Sequence, residues 1–542
     1  MQRAAWKEAR ACFETALAVE ATADAYEGLS WACWWQDDFA PLVAAREAAF
    51  RLFRQQRDSL GAARMAMWLA ADYCDFRGEA AISNGWLRRA ESLLEALPMA
   101  PEHGWLRLIE ADIALTLAGD VATANRAATA ATAIGREVGD FDCTMMALAV
   151  RGFALVCEGD VAAGIRCLDE AAAAATGGEL TRQSAPLWIL CYLIYSCERV
   201  RDFDRAAQWC ERMREVADRL RFLFPRGICR VHYAGVLILR GLWGEAESEL
   251  VESEAMFSAS RPPWIAESRV RLAELRRRQG HLDQAEEIFR QVEWHPLALL
   301  GLAELALDKG KPRDADEFCA RLLRQLPESA RFQRLDALEL VVRSAALLGE
   351  RARAAEALAE IEILSERAAT LPLRAARCFS MGMEAIAAGD YERSRVSLED
   401  AVDLFEKTGT PYEAARARLE LAGVLVSQDR LQRARIDAEK ARDELEKLGS
   451  RFHAGRAQAL LKDIERRQGE KAAAGAGARV ALTARQAEIL RLIAEGKSDR
   501  DIAAALGLSE FTVHRHVSNI LNRIALPSRA AAVAYAIAHK LI

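Results

Sequence analysis

The sequence has no Cys-x-x-Cys pair and no histidine cluster. Its twelve cysteines are scattered from Cys12 to Cys378. Neither a zinc site nor a disulfide framework is expected, and the cysteines read as small buried apolar residues in a reducing compartment, the cytoplasm. Long apolar runs are also missing. The best candidate, Gln183 to Cys197, is uncharged but too short to span a bilayer comfortably, and reads as a buried helix. The segment MQRAAWKEARACFETAL carries charges throughout and lacks the apolar region of a secretion signal. Alternating Val/Ile/Thr runs, the mark of strands, are absent. So is the phosphate-cradling pattern G-x-x-x-x-G-K-[ST]. Gly496-Lys497-Ser498 imitates its end, but Arg491 stands where the first glycine belongs. No catalytic constellation is visible and no cofactor or metal is called for. These absences point away from membrane, disulfide-scaffold, zinc and nucleotide-hydrolysing classes.

What is present is helix-forming. Ala, Leu, Glu and Arg dominate. The 542 residues are 52% hydrophobic and 28% charged, too apolar for a disordered chain and too long for one core. Charge is unevenly spread. Residues 482–542 hold eight Lys or Arg against five Asp or Glu, a net of +3, whereas the remainder holds 65 against 74, a net of -9. A small basic end on an acidic body suits nucleic-acid binding.

Short breaks recur along the body: RGE at 77–79, AGD at 118–120, EGD at 158–160, VRD at 200–202 and WGE at 243–245. QGH at 279–281, KGK at 309–311, LGE at 348–350, AGD at 388–390 and SQD at 427–429 continue the series. Their middle residues are 41, 40, 42, 43, 36, 30, 39, 40 and 39 positions apart, a period that marks a solenoid of helix pairs. Where a break has a glycine, it supplies a left-handed residue that ends one helix, and where it has an acid, the acid caps the next. The stretches AGDYERSRVSLEDAVDLF and QGHLDQAEEIFRQV resemble tetratricopeptide repeats. The period exceeds the standard 34 residues, and the consensus Trp, Tyr and Pro are mostly missing. Eleven or twelve pairs fit before residue 468. GEKAAAGAGARV (469–480) then reads as a flexible linker. All twelve Trp lie at or before 294, seven of them within the first 105 residues. They suit either a solenoid core or an aromatic-lined groove.

The last segment carries the chemistry. Thr483 to Gln486 and Ser498 to Asp501 are capping boxes opening two helices. Gly496 stops the first and Gly507 turns the second. Ser509 caps a third helix with Val513, Val517, Ile520, Leu521 and Ile524 inward. Pro527 breaks it, and Ser528 starts a fourth. A short helix, a glycine turn and a second helix with an exposed basic face form a DNA-reading unit. Ala503 must be small for the helices to cross.

Residues 482–542 resemble the LuxR/GerE family of DNA-binding domains, through LTARQ, EGKSDRDIAAALGLS, TVHRHVSNIL and SRAAAVAYA. Gln486 replaces the family's usual Glu, and His514 stands where Lys is common. The resemblance implies a recognition helix over Ser509 to Ile524 with His514, Arg515 and Ser518 facing the groove. Thr512 and Asn519 flank them. Arg515 is the strong base reader, able to pair with guanine. His516 either contacts DNA or packs near the helix crossing. Arg523 and Arg529 are phosphate contacts or solvated surface. Val533, Tyr535, Ile537 and Leu541 are candidates for dimerisation through the fourth helix. The chain also resembles the rear half of the large ATP-binding LuxR regulators, without their P-loop domain.

The expectation is therefore an all-α protein in three parts. Residues 1–468 form a TPR-like α-solenoid, 469–480 a linker, and 481–542 a four-helix LuxR-type helix-turn-helix domain. It is expected to be a cytoplasmic, non-enzymatic regulator that binds promoter DNA as a homodimer and takes a protein, peptide or small-molecule effector at the repeats. The rival reading is an interaction scaffold with secondary DNA binding.

Overall fold

A computed structural model describes residues 5–220, 223–328, 330–368, 370–477, 482–523, 526 and 528–538. Among them are 28 α-helices and no strand, as the composition and the breaks led one to expect. None of these helices is long and apolar enough to cross a membrane. Two compact units result, Met1–Leu461 and Lys462–Ile542.

The first unit is a stack of antiparallel helix pairs. Most breaks turn where the spacing places them. Gly78, Gly119, Gly159, Gly280, Gly310, Gly349 and Gly389 all have φ between 61° and 96°. Where glycine is missing, Arg201 and Asp429 take the same left-handed conformation, at φ 56° and 64°. One break is displaced. Gly244 lies inside the helix Trp243–Ser260, and the turning residue is Gly241, at φ 78°. The capping acid holds for the aspartates that directly follow the turning residue: Asp120, Asp160 and Asp390 each accept from the backbone amide three residues on. Glu79, one methylene longer, makes no such bond. The step of 30 between Gly280 and Gly310 arises because two short helices, Leu282–Gln291 and Pro296–Asp308, fill it.

Small residues let neighbouring helices close up. A Cβ built on Gly301 would stand 2.1 Å from the Phe289 ring, so no other residue fits there without the ring moving. The tryptophans mostly serve this core. Trp6, Trp34, Trp35, Trp68, Trp105 and Trp243 are buried. Trp6 and Trp35 stack at 4.5 Å, and the fully buried Arg46 lies 4.7 Å above Trp31 while pairing with Asp72 at 3.0 Å.

The solenoid coils tightly enough to touch itself. Arg261 pairs with Asp37 at 2.9 Å and with Asp75 at 3.5 Å. Trp264 donates to the Asp75 carbonyl, Thr370 to that of Val200 and Ser450 to that of Arg278. These contacts join residues 170 to 224 positions apart. The inner side of the coil holds a partly open cavity of about 1210 Å³, lined by residues from Trp34 to Arg416.

The segment read as a linker behaves differently at its start. The helix Arg451–Gly477 runs through residues 469–477. Alanine is the strongest helix former, and the Arg466–Glu470 pair, four residues apart, supports the preceding turn. A Gly/Ala-rich composition therefore does not by itself end a helix already under way. Residues 478–480 lie outside the described residues.

Candidate nucleic-acid interface

The second unit carries four helices, Ala484–Ala494, Asp499–Leu506, Glu510–Arg523 and Arg529–Ala538. Local chemistry fixes their ends. Thr483 accepts from the Gln486 amide at 3.2 Å, and Gln486 accepts from the Thr483 amide at 3.0 Å. Ser498 and Asp501 repeat the reciprocal box, both bonds at 3.2 Å. Ser509 accepts from the Thr512 amide, and Ser528 from that of Ala531. Gly496 and Gly507 are left-handed, at φ 81° and 66°. Ile489, Leu490, Ile493, Ile502, Ala503, Val513, Val517 and Ile520 form one buried cluster with Ala532 and Ala536. The small Ala503 at the crossing is thus in the core. Ile524 and Pro527 lie outside the described residues.

Burying Val513, Val517 and Ile520 aims the opposite side of the third helix at solvent. Phe511, His514 and Arg515 are exposed there, and Ser518 is half-buried at the next turn. Positions 511, 514, 515 and 518 follow the i, i+3, i+4, i+7 spacing of one helical stripe. Arg515 has no hydrogen bond or ion pair with a described residue, so its guanidinium donors are available. Asn519 is exposed beside the stripe and His516 is half-buried. Ser509 and Thr512 share a hydroxyl–hydroxyl bond of 2.7 Å, which ties both to the helix start.

Other expected contacts are placed differently. Arg529 is bound inside the domain. It pairs with Asp499 and donates to the Lys497 carbonyl at 2.6 Å, clamping the fourth helix onto the second. His514 also approaches Asp499, at 3.5 Å, so one carboxylate draws together two groups expected at the DNA. Of the fourth-helix candidates, Val533 and Tyr535 pack against the domain's own core, while Ile537 is 63% exposed. The Arg523 side chain and Leu541 lie outside the described residues.

Sequence reasoning passed over three exposed groups. Phe511 is 77% exposed, four residues before Arg515. That spacing on the recognition helix was the available signal. Lys497 and Arg500 are exposed at the start of the second helix, where the capping box already fixed their position. Arg485, half-buried, donates to the Leu506 carbonyl at 2.7 Å and joins the first two helices.

Comparison with known proteins agrees with this geometry. Residues 480–536 match the family described as bacterial regulatory proteins, luxR family. Residues 276–339 match the tetratricopeptide repeat. Similar proteins include the response regulator protein VraR of Staphylococcus aureus (strain NCTC 8325 / PS 47) and of Staphylococcus saprophyticus. Each is 49% identical over 61 residues, which are 11% of this chain. The match spans 29% of the length of these relatives. Among solved structures, a Rap protein complexed with competence and sporulation factor covers 64% of this chain, and 99% of its own chain is matched, at 11% identity and a TM-score of 0.47. The apo form of the quorum sensor NprR from B. thuringiensis covers 62%, with 97% of its own chain matched, at 15% identity and a TM-score of 0.38. The chain thus carries a luxR-type helix-turn-helix domain at residues 480–536 and tetratricopeptide-like repeats that include residues 276–339.

Proposed function

We propose that this chain is a cytoplasmic transcription regulator that binds promoter DNA sequence-specifically as a homodimer. In this reading the helix Glu510–Arg523 enters the major groove, and the repeats hold a protein, peptide or small-molecule effector that controls DNA binding. The observation that carries it is Arg515: an arginine with no partner among the described residues, centred on the solvent-facing side of the helix Glu510–Arg523. Such a side chain can make two hydrogen bonds to guanine. Ile537, an exposed apolar residue on the fourth helix, supports pairing of two copies.

The test is selection of genomic fragments by the full-length protein, followed by titration of selected and scrambled duplexes. A shared sequence motif and a preference of about a thousandfold or more over scrambled DNA is the expected result. Equal binding of all fragments would instead favour an interaction scaffold whose DNA contact is secondary.

A further inference from the structure

The cavity of the repeat unit has one acid left over, and two of its bases, Arg77 and Arg199, have no acidic partner among the described residues. Its lining acids are otherwise matched. Glu198 meets Arg271 and His232, Glu304 meets Arg343 and Arg416, Glu413 meets Arg278, and Asp336 and Glu339 meet Arg201. Glu267 meets His295, Glu274 meets Arg278, and Asp75 meets Arg261. Asp112 alone among the described lining acids has no cation within ion-pair distance. It is only 7% exposed. One carboxylate oxygen accepts from the Tyr192 hydroxyl, and the other has no partner among the described residues. Leaving a carboxylate so enclosed without a counter-charge is costly unless something else supplies the charge.

The surroundings of Asp112 favour a cation. Phe153, Trp188, Tyr192 and Tyr195 line the same cavity. Phe153 lies 5.8 Å from Tyr192 and 5.9 Å from Tyr195. Ring faces beside a carboxylate stabilise an ammonium or guanidinium group. Burial, and then the nearby Asp75, push the Asp112 carboxyl up to about 7. An incoming cation would return it to the charged form.

Arg199 is the complement. It lines the cavity on the helix Ala185–Arg199 that also carries Tyr192 and Tyr195. It has no acidic partner among the described residues, and its Nε is buried without a hydrogen bond. Residues 192, 195 and 199 share one helix face, and seven residues of helix rise about 10 Å. Asp112, held by Tyr192, and Arg199 thus line one cavity, with Tyr192 and Arg199 about 10 Å apart along the helix axis, the length of about three extended residues. Arg77, by contrast, is taken up over the Phe39 ring at 4.3 Å.

We infer that this cavity binds a short peptide with free termini, its ammonium group at Asp112 and its carboxylate at Arg199. This rests on the reading that the repeats hold an effector, and it names the effector's chemistry.

The experiment uses the full-length protein and four probes: a pool of tri- and tetrapeptides with free termini, the same pool N-acetylated, the same pool C-amidated, and spermidine. Thermal unfolding is followed for the wild type, Asp112→Asn and Arg199→Gln. The free pool, at saturating concentration, is expected to raise the wild-type midpoint by about 2 °C or more. Acetylation and Asp112→Asn should each abolish the shift, and amidation and Arg199→Gln should each reduce it. Asn retains the bond from Tyr192, so loss of binding without loss of fold is readable. A shift by spermidine but not by the free pool would overturn the zwitterion. So would an equal shift by the acetylated pool, or no shift by any probe. Promoter-DNA affinity measured with and without the free pool separates the two claims. Binding that leaves DNA affinity unchanged keeps the peptide site and sinks its regulatory role, whereas no peptide binding with specific DNA binding does the reverse.

Discussion

Arg529 and Asp499, thirty residues apart, form the ion pair that fastens the fourth helix of the C-terminal domain to the first turn of the second. The same arginine donates to the Lys497 carbonyl, so it satisfies a backbone group as well as a charge. Arg529→Ala is expected to destabilise the domain by about 1 kcal/mol, the scale of a partly exposed ion pair plus a hydrogen bond. Asp499→Asn should cost less in the Arg529→Ala background than alone, which a double-mutant cycle measures. The slope of log affinity against log salt should not change in Arg529→Ala. A slope shallower by about one would mean that Arg529 contacts a phosphate after all.

Arg515 should behave oppositely. Arg515→Ala is expected to leave the unfolding midpoint unchanged and to cost about 1–3 kcal/mol of discrimination between a selected and a scrambled duplex. Titration of both duplexes at several salt concentrations decides the matter. Equal losses on the two would move Arg515 from the bases to the backbone.

Phe511 lies one helical turn before Arg515, with most of its ring in water. An exposed ring on a groove-facing stripe suits the methyl group of thymine. Replacing thymine by uracil throughout the selected duplex is expected to weaken wild-type binding by about 1 kcal/mol. The same replacement should leave Phe511→Ala binding unchanged. If uracil weakens both proteins alike, the methyl is read elsewhere.

Asp112 predicts a pH dependence of stability. Its carboxyl is raised to about 7, chiefly by burial and then by Asp75, against a bond from Tyr192 that lowers it. Asp75, Cys74, Cys191, Tyr192 and Tyr195 are the titratable groups that face it among the described residues. A carboxyl with a raised folded pKa contributes stability that is fully present below its unfolded value and is lost as pH rises through the folded value. Asp112→Asn should therefore unfold at a higher temperature than wild type at pH 8, by about 1–2 °C. The two should converge as the pH falls from 8 toward 5. A wild type more stable than the variant at pH 8 would show that the charged carboxylate already has a counter-ion within the protein.

The repeats were legible because their punctuation is local. A left-handed glycine and a capping aspartate act within four residues, and both leave a mark in the sequence. The displaced turn at Gly241 shows the limit: WGE has the composition of a break, but RGLW makes it. The helix-turn-helix was legible for the same reason, through two capping boxes and the buried Val513 and Val517. Arg529 was not. Its partner, Asp499, is a long-range choice that composition does not announce, and an arginine near DNA looks the same whether it faces phosphate or carboxylate. Asp112 and Arg199 were equally silent, because their significance lies in what does not meet them once distant helices converge.

The self-contact of the coil has a consequence for how such a chain can change over generations. An open solenoid tolerates gain or loss of one unit, since each unit touches only its neighbours. Here Arg261 must still find Asp37 and Asp75, and Ser450 must still find the Arg278 carbonyl. Duplicating or deleting one helix pair between them would rotate everything downstream and break those bridges together. The number of pairs from Asp37 to Ser450 is therefore set by closure, and this lineage is expected to vary by substitution on its inner wall rather than by length.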